Sequence, residues 1–156
     1  MGAPSNPGLR RVAENRKAFH DYAVIERIEA GIVLTGTEAK SVRSGHLTLT
    51  GGFVRFDAKG ALLTDVRIAP YDFGNQFNHE PTRPRRLLLH RREAVALASR
   101  SAQKGLTLVP LQAYFKKGRL KIEIGLCKGR QDPDKREKLR QKTEEREAAR
   151  AMRRGR

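Results

Sequence analysis

Between Arg119 and Lys128 apolar and polar residues alternate almost without a break: Leu120, Ile122, Ile124 and Leu126 against Arg119, Lys121, Glu123 and Gly125. A period of two sends the two sets to opposite faces of an extended chain, so this stretch reads as a strand with one face in a core. The tight-turn sequence Lys116-Lys117-Gly118 precedes it, and two further apolar runs, 106–109 and 111–115, precede the turn. Pro110 lies between those runs. It has no N–H for a sheet ladder, so it predicts an edge or a bulge there. The organising element is therefore a β-hairpin.

Upstream, residues 22–29 and 32–35 predict two strands joined across Ala30-Gly31, with the glycine free to take positive φ. Residues 37–45 read as a short helix with Thr37 as N-cap, Glu38 in the first turn and Gly45 at C′. Residues 53–56 and 61–68 predict a second hairpin across Asp57-Ala58-Lys59-Gly60. A long loop over 70–86 follows, rich in proline, glycine and asparagine. A helix over 91–104 should turn Val95, Leu97, Ala98 and Ala102 inward and stop at Gly105. The fold class is mainly β: a closed antiparallel OB-fold-like barrel with two or three short flanking helices. Residues 1–13 read as a flexible basic arm and 14–128 as the barrel. Residues 129–156 carry 11 basic and 6 acidic residues but only Leu139 and Met152 as large apolar ones. Such a tail has no stripe to bury and is expected to be disordered when alone.

Charge narrows the function. The 156 residues hold 33 Lys and Arg against 17 Asp and Glu, a net of +16. That imbalance predicts an anionic partner. No apolar run approaches the ~18 residues of a membrane span, and no signal sequence opens the chain. With one cysteine, Cys127, neither a disulfide framework nor a cysteine zinc site is expected, and a reducing cytoplasm is the default. Catalysis is poorly supplied. His20-Asp21 and His79-Glu80 are adjacent pairs, no serine sits in a nucleophile elbow, and the four histidines lack metal spacing. No catalytic residue, metal, cofactor or small-molecule substrate is predicted, and Cys127 reads as a small buried hydrophobe. Basic residues instead recur at Arg10-Arg11, Arg16-Lys17, Lys40/Arg43, Arg83/Arg85/Arg86, Arg91-Arg92, Lys116-Lys117 and Lys128/Arg130. Aromatics make up 6% with no tryptophan, so structured RNA is favoured over a single strand. A membrane surface would require an amphipathic helix that the tail does not encode.

The ordered segments Asn15-Arg16-Lys17-Ala18, His20-Asp21-Tyr22, Glu29-Ala30-Gly31, residues 36–41, Arg85-Arg86-Leu87-Leu88-Leu89, residues 104–111 and Gly125-Leu126-Cys127-Lys128-Gly129 resemble the SsrA-binding protein (small protein B) family. The resemblance covers roughly 15–136. It implies binding to the tRNA-like domain of tmRNA and delivery to the stalled 70S ribosome in trans-translation. It also implies a tail that turns helical in the empty mRNA channel near the decoding centre. Asn15, Glu29 and Leu89 match positions needed for tmRNA binding. Arg16, Lys17, Lys40, Arg43, Arg85, Arg86 and Lys128 are the expected phosphate contacts. Arg130, Asp134, Lys135, Arg136, Lys138 and Arg140 are the expected ribosome contacts, and a monomer is expected. Gln131 and Pro133 depart from the family's tail motif, although Asp132-Pro133-Asp134 makes a good helix start. The alternatives are a general structured-RNA chaperone or ribosome accessory protein and, as a third reading, an RNA-modifying fold with His20 as base.

Overall fold

The computed structural model describes residues 9–73 and 78–129, together with Ala148. Expectations for residues 1–8 and for the tail, including Arg130, Asp134, Lys135, Arg136, Lys138 and Arg140, lie outside the described residues.

The elements are β1 (Leu9–Glu14), α1 (Arg16–Asp21), β2 (Tyr22–Ile32), α2 (Gly36–Arg43), β3 (Leu47–Thr48), β4 (Phe53–Asp57), β5 (Gly60–Thr64), β6 (Arg67–Ile68), β7 (Arg85–Leu88), α3 (Arg91–Ser101), β8 (Leu106–Lys116) and β9 (Arg119–Gly129). Seven strands form one antiparallel sheet in the order β1-β8-β9-β2-β7-β5-β4, while β3 and β6 pair separately. The alternating strand is β9, and β8 and β2 flank it. Its Leu120, Ile122, Ile124 and Leu126 are buried in the main core. Lys117 and Gly118, both at positive φ, make the two-residue turn into it, a geometry that matches the sheet's twist.

Pro110 marks a bulge, where the β8–β9 register slips between Pro110 and Gln112. A one-residue slip swaps the faces of a strand. Val109 before it and the bulged Leu111 face a second small cluster with Ala18 and Cys127; beyond it, Ala113 and Phe115 face the main core. Gly125 makes room for that second cluster, since a Cβ there would lie 2.7 Å from Leu111 Cδ1. Cys127 is buried, and burial pushes its thiol up to about 11.

Several expectations are corrected. The sheet does not close into a barrel: β4 packs against β8 without pairing with it. Both edges of β8 are already taken, one by β9 and the other by β1. That same pairing makes Leu9–Glu14 a strand, not part of a flexible arm, with Val12 and Ala13 packed on the core. Gly31 is no turn. It pairs with Leu88 inside the continuous β2, and a Cβ there would lie 3.2 Å from Leu88 Cβ. The second arm of the 53–68 hairpin breaks at Asp65 (φ 59) into β5 and β6. In α3 Leu97 is the buried residue, and Val95 points outward at 62% exposure.

The N-cap of α2 is Thr35, two residues ahead of the expected Thr37. Its side chain and that of Glu38 form a reciprocal capping box. Glu38 does more than cap. Both Glu38 and Arg85 are fully buried and ion-paired, and Arg83 donates to the second carboxylate oxygen at 2.6 Å. Arg85 also donates to the carbonyls of Val66 at 2.7 Å and Pro81 at 3.0 Å. Burial by itself would raise the Glu38 carboxyl, but hydrogen bonds from Arg83, the Thr35 N–H and Arg85 outweigh it and hold it at about 2, below the ordinary 4.5.

A carboxyl lowered on folding stabilises the protein above its unfolded value and loses that contribution as pH falls through the folded one. Stability should therefore drop between about pH 4.5 and pH 2, with Glu38 accounting for on the order of 3 kcal/mol. Urea titrations across this range should show Glu38→Gln less stable at neutral pH, by about 3–5 kcal/mol for the stranded Arg85 charge. The variant should also respond less to acid; an equally steep acid response would refute the assignment.

Candidate nucleic-acid interface

Strand β7 brings one wall of a groove to β2. At their pairing, Gly31 faces Leu88, and because the strands are antiparallel Glu29 and Leu89 both lie toward the same end of that contact. Glu29, Arg86 and Leu89, three of the expected RNA-contacting residues, line this groove of about 620 Å³ with Leu88, His90 and Lys121. The Tyr114 hydroxyl donates to Glu29 Oε2, and Lys116 Nζ lies 3.6 Å from Oε1. Burial, then the bonded Glu29 carboxylate, pushes the Tyr114 phenol well above its ordinary value. Arg86 holds Asp57 through two bonds of 2.8 Å and keeps that carboxyl far below the usual range. Leu89 is half-buried against the core, whereas Leu88 is 57% exposed. Sequence reasoning missed Leu88. The signal was present, because three consecutive leucines in a strand cannot all face one core.

The other expected contacts lie elsewhere. Arg16 and Lys17 are exposed on α1. Lys17 lines a second groove of about 370 Å³ with Asn15, Asp21, Tyr22, Phe53 and Thr107. Lys128 is exposed on β9, whose next residue Gly129 pairs with Tyr22. On α2, Lys40 sits 5.5 Å above the Tyr71 ring, and the carbonyl of the exposed Arg43 accepts from Arg10 at 3.0 Å.

Two residues are not surface contacts. Arg85 is spent on Glu38 and three backbone carbonyls, so it cannot meet a phosphate; its high basicity reads as surface in a sequence, but a buried acid partner changed the outcome. Asn15 is 3% exposed. Its Oδ1 accepts from the Ala18 N–H at the start of α1, and its Nδ2 donates to Pro110 O at 2.9 Å. Its backbone N–H reaches Leu111 O at 2.8 Å. Asn15 therefore anchors the helix that carries Arg16 and Lys17. His20 meets Asp21 at 3.0 Å on an exposed corner, while His79 bridges Thr37 Oγ1 at 2.8 Å and Ile68 O at 2.9 Å as a loop brace. Among the described residues no group of three His, Cys, Asp or Glu side chains could hold a metal ion. Nor is any described helix long and apolar enough to cross a membrane.

A model of the SmpB protein family matches residues 12–154. The chain is 50% identical over 142 residues to the SsrA-binding protein of Carboxydothermus hydrogenoformans, covering 91% of this chain and 95% of that one. It is 52% identical over 147 residues to the SsrA-binding protein of Roseiflexus castenholzii, covering 93% of each. A solved structure described as "tmRNA-SmpB: a journey to the center of the bacterial ribosome" superposes with a TM-score of 0.66 at 48% identity, over 76% of this chain and 84% of that one.

Asn15 and its neighbour should separate cleanly in stability. Asn15→Ala removes a helix cap and leaves buried backbone groups unpaired, which should cost about 1–3 kcal/mol in urea unfolding. Arg16→Ala, its side chain 90% exposed, should change stability by less than about 0.5 kcal/mol. Equal effects would contradict the anchoring role.

Proposed function

The chain belongs to the SmpB protein family, and we propose that it binds the tRNA-like domain of tmRNA and delivers it to stalled ribosomes. The observation that carries this reading is the convergence of Glu29, Arg86 and Leu89 on one groove beside Lys121. A glutamate is a useful element of an RNA site. It accepts from base N–H and ribose hydroxyl groups, which report shape and sequence, whereas cations report phosphate. Arg16, Lys17, Lys40, Arg43 and Lys128 supply the phosphate contacts, Arg86 shapes the groove wall while held by Asp57, and Asn15 acts through α1. The curled sheet works as an opened relative of the oligonucleotide-binding barrel. The protein acts in the cytoplasm as a monomer and performs no chemistry of its own. Residues 9–129 form the RNA-binding body and residues 130–156 the ribosome-facing tail. In the mRNA channel that tail becomes helical from Asp132-Pro133-Asp134 onward, supported by four-residue pairs such as Asp134/Lys138.

The RNA retained by the purified protein tests the reading. One discrete tmRNA species is expected, and a heterogeneous mixture would favour the chaperone alternative. With about five phosphates neutralised, log affinity should fall with log salt at a slope near −4. A flat dependence would remove the electrostatic contribution.

The tail separates from binding. Leu139→Pro costs about 3 kcal/mol in a helix interior. It should leave affinity for the tRNA-like domain unchanged while tagging on stalled ribosomes is lost. Tagging at the full rate would mean the tail contributes charge without a helix.

A further inference from the structure

We propose that Tyr114 is a positioning residue for the RNA site, its hydroxyl fixing the Glu29 carboxylate so that the acid presents its remaining lone pairs to donors on the RNA. This rests on the tmRNA reading above. Glu29 stands on β2 and Tyr114 on β8, with β9 between them, so the contact crosses two strand spacings, roughly 9–10 Å. A tyrosine laid across the sheet is long enough to reach. Its residue is only 6% exposed, yet its hydroxyl arrives at a carboxylate whose side chain keeps 37% of its surface. The neighbouring groups are accounted for. Arg11 and Lys121 are the cross-strand partners of Tyr114, and Glu123, opposite Glu29, is engaged by Arg27 at 3.3 Å and Gln112 at 2.9 Å.

A carboxylate offers about four lone-pair sites. Tyr114 takes one on Oε2, and Lys116, 3.6 Å from Oε1, anchors the other end. The rest face the groove that Leu88, Leu89 and Lys121 also line. An unanchored glutamate would lose rotamer freedom at the moment of binding; one held by Tyr114 loses it on folding, which favours the complex. Burial and the adjacent acid both keep the phenol protonated, so it remains a donor across the physiological range.

The test is a double-mutant cycle on the full chain, with the transcribed tRNA-like domain as probe and unrelated tRNA as competitor. Tyr114→Phe keeps the ring and removes the hydroxyl. It should weaken binding about tenfold while the slope of log affinity against log salt stays at the wild-type value, since no phosphate contact is lost. In the Glu29→Ala background, Tyr114→Phe should bring no further loss. Additive losses in the double variant, or wild-type affinity for Tyr114→Phe, would overturn the proposal. If Tyr114→Phe melts earlier, the cycle is run below its transition, where its circular dichroism matches wild type, and the comparison between backgrounds still decides. Wild-type protein that does not prefer the tRNA-like domain to tRNA would sink the tmRNA reading itself. Selective binding that Glu29→Ala weakens and Tyr114→Phe does not would sink this inference alone.

Discussion

The buried pair of Glu38 and Arg85 sets the frame on which the groove is built. Withdrawing two charges from water costs several kcal/mol each unless every donor and lone pair finds a partner. Here the carboxylate takes Arg85, Arg83 and the Thr35 N–H, and the guanidinium reaches Val66 and Pro81 as well. That set fastens the start of α2, the chain leaving β5, the loop before β7 and β7 itself to a common point. Strand β7 then carries Arg86 and Leu88 to the groove, with Leu89 just past its end. The wall of the groove is placed by an interaction with no surface of its own.

What the sequence made legible was whatever local chemistry decides. The alternation of β9, the bulge at Pro110, the turn at Lys117-Gly118 and the burial of Cys127 all follow from neighbours along the chain. Arg85 was illegible for the opposite reason: its fate depends on an acid 47 residues away, and a basic residue in a basic chain looks like surface. Gly31 reads as a turn in the sequence because a glycine admitting Leu88 into close contact has the same letter as one making a turn. The sheet stays open because β1, which reads as a basic arm in the sequence, fills the edge of β8. Asn15, Glu29 and Leu89 came from a family resemblance. Their geometry divides them: Glu29 and Leu89 share the groove, while Asn15 is a buried helix anchor.

The charge distribution separates two tasks. A net of +16 draws any polyanion to the surface and says little about which one. Around Glu29 the signs are mixed, with Lys116, Lys121 and Glu123 close by and Arg86 already committed to Asp57. Such a patch contributes little to attraction at long range. It can discriminate at contact, because an acceptor without its donor is costly once water is excluded.

The edge pairing of β1 has a consequence for how the chain is made. Leu9 lies opposite Lys116 and Glu14 opposite Gln112, so the first strand to leave the ribosomal exit tunnel completes its ladder with one of the last. At a synthesis rate of about 5–20 residues per second, β1 waits roughly 5–20 s for its partner. Until then Val12 and Ala13 have no β8 beside them to pack with. The last strand pairing of the sheet's first residues is thus a near-terminal event of synthesis, and a nascent chain cut short before Leu106 would have no β8 for β1 to join.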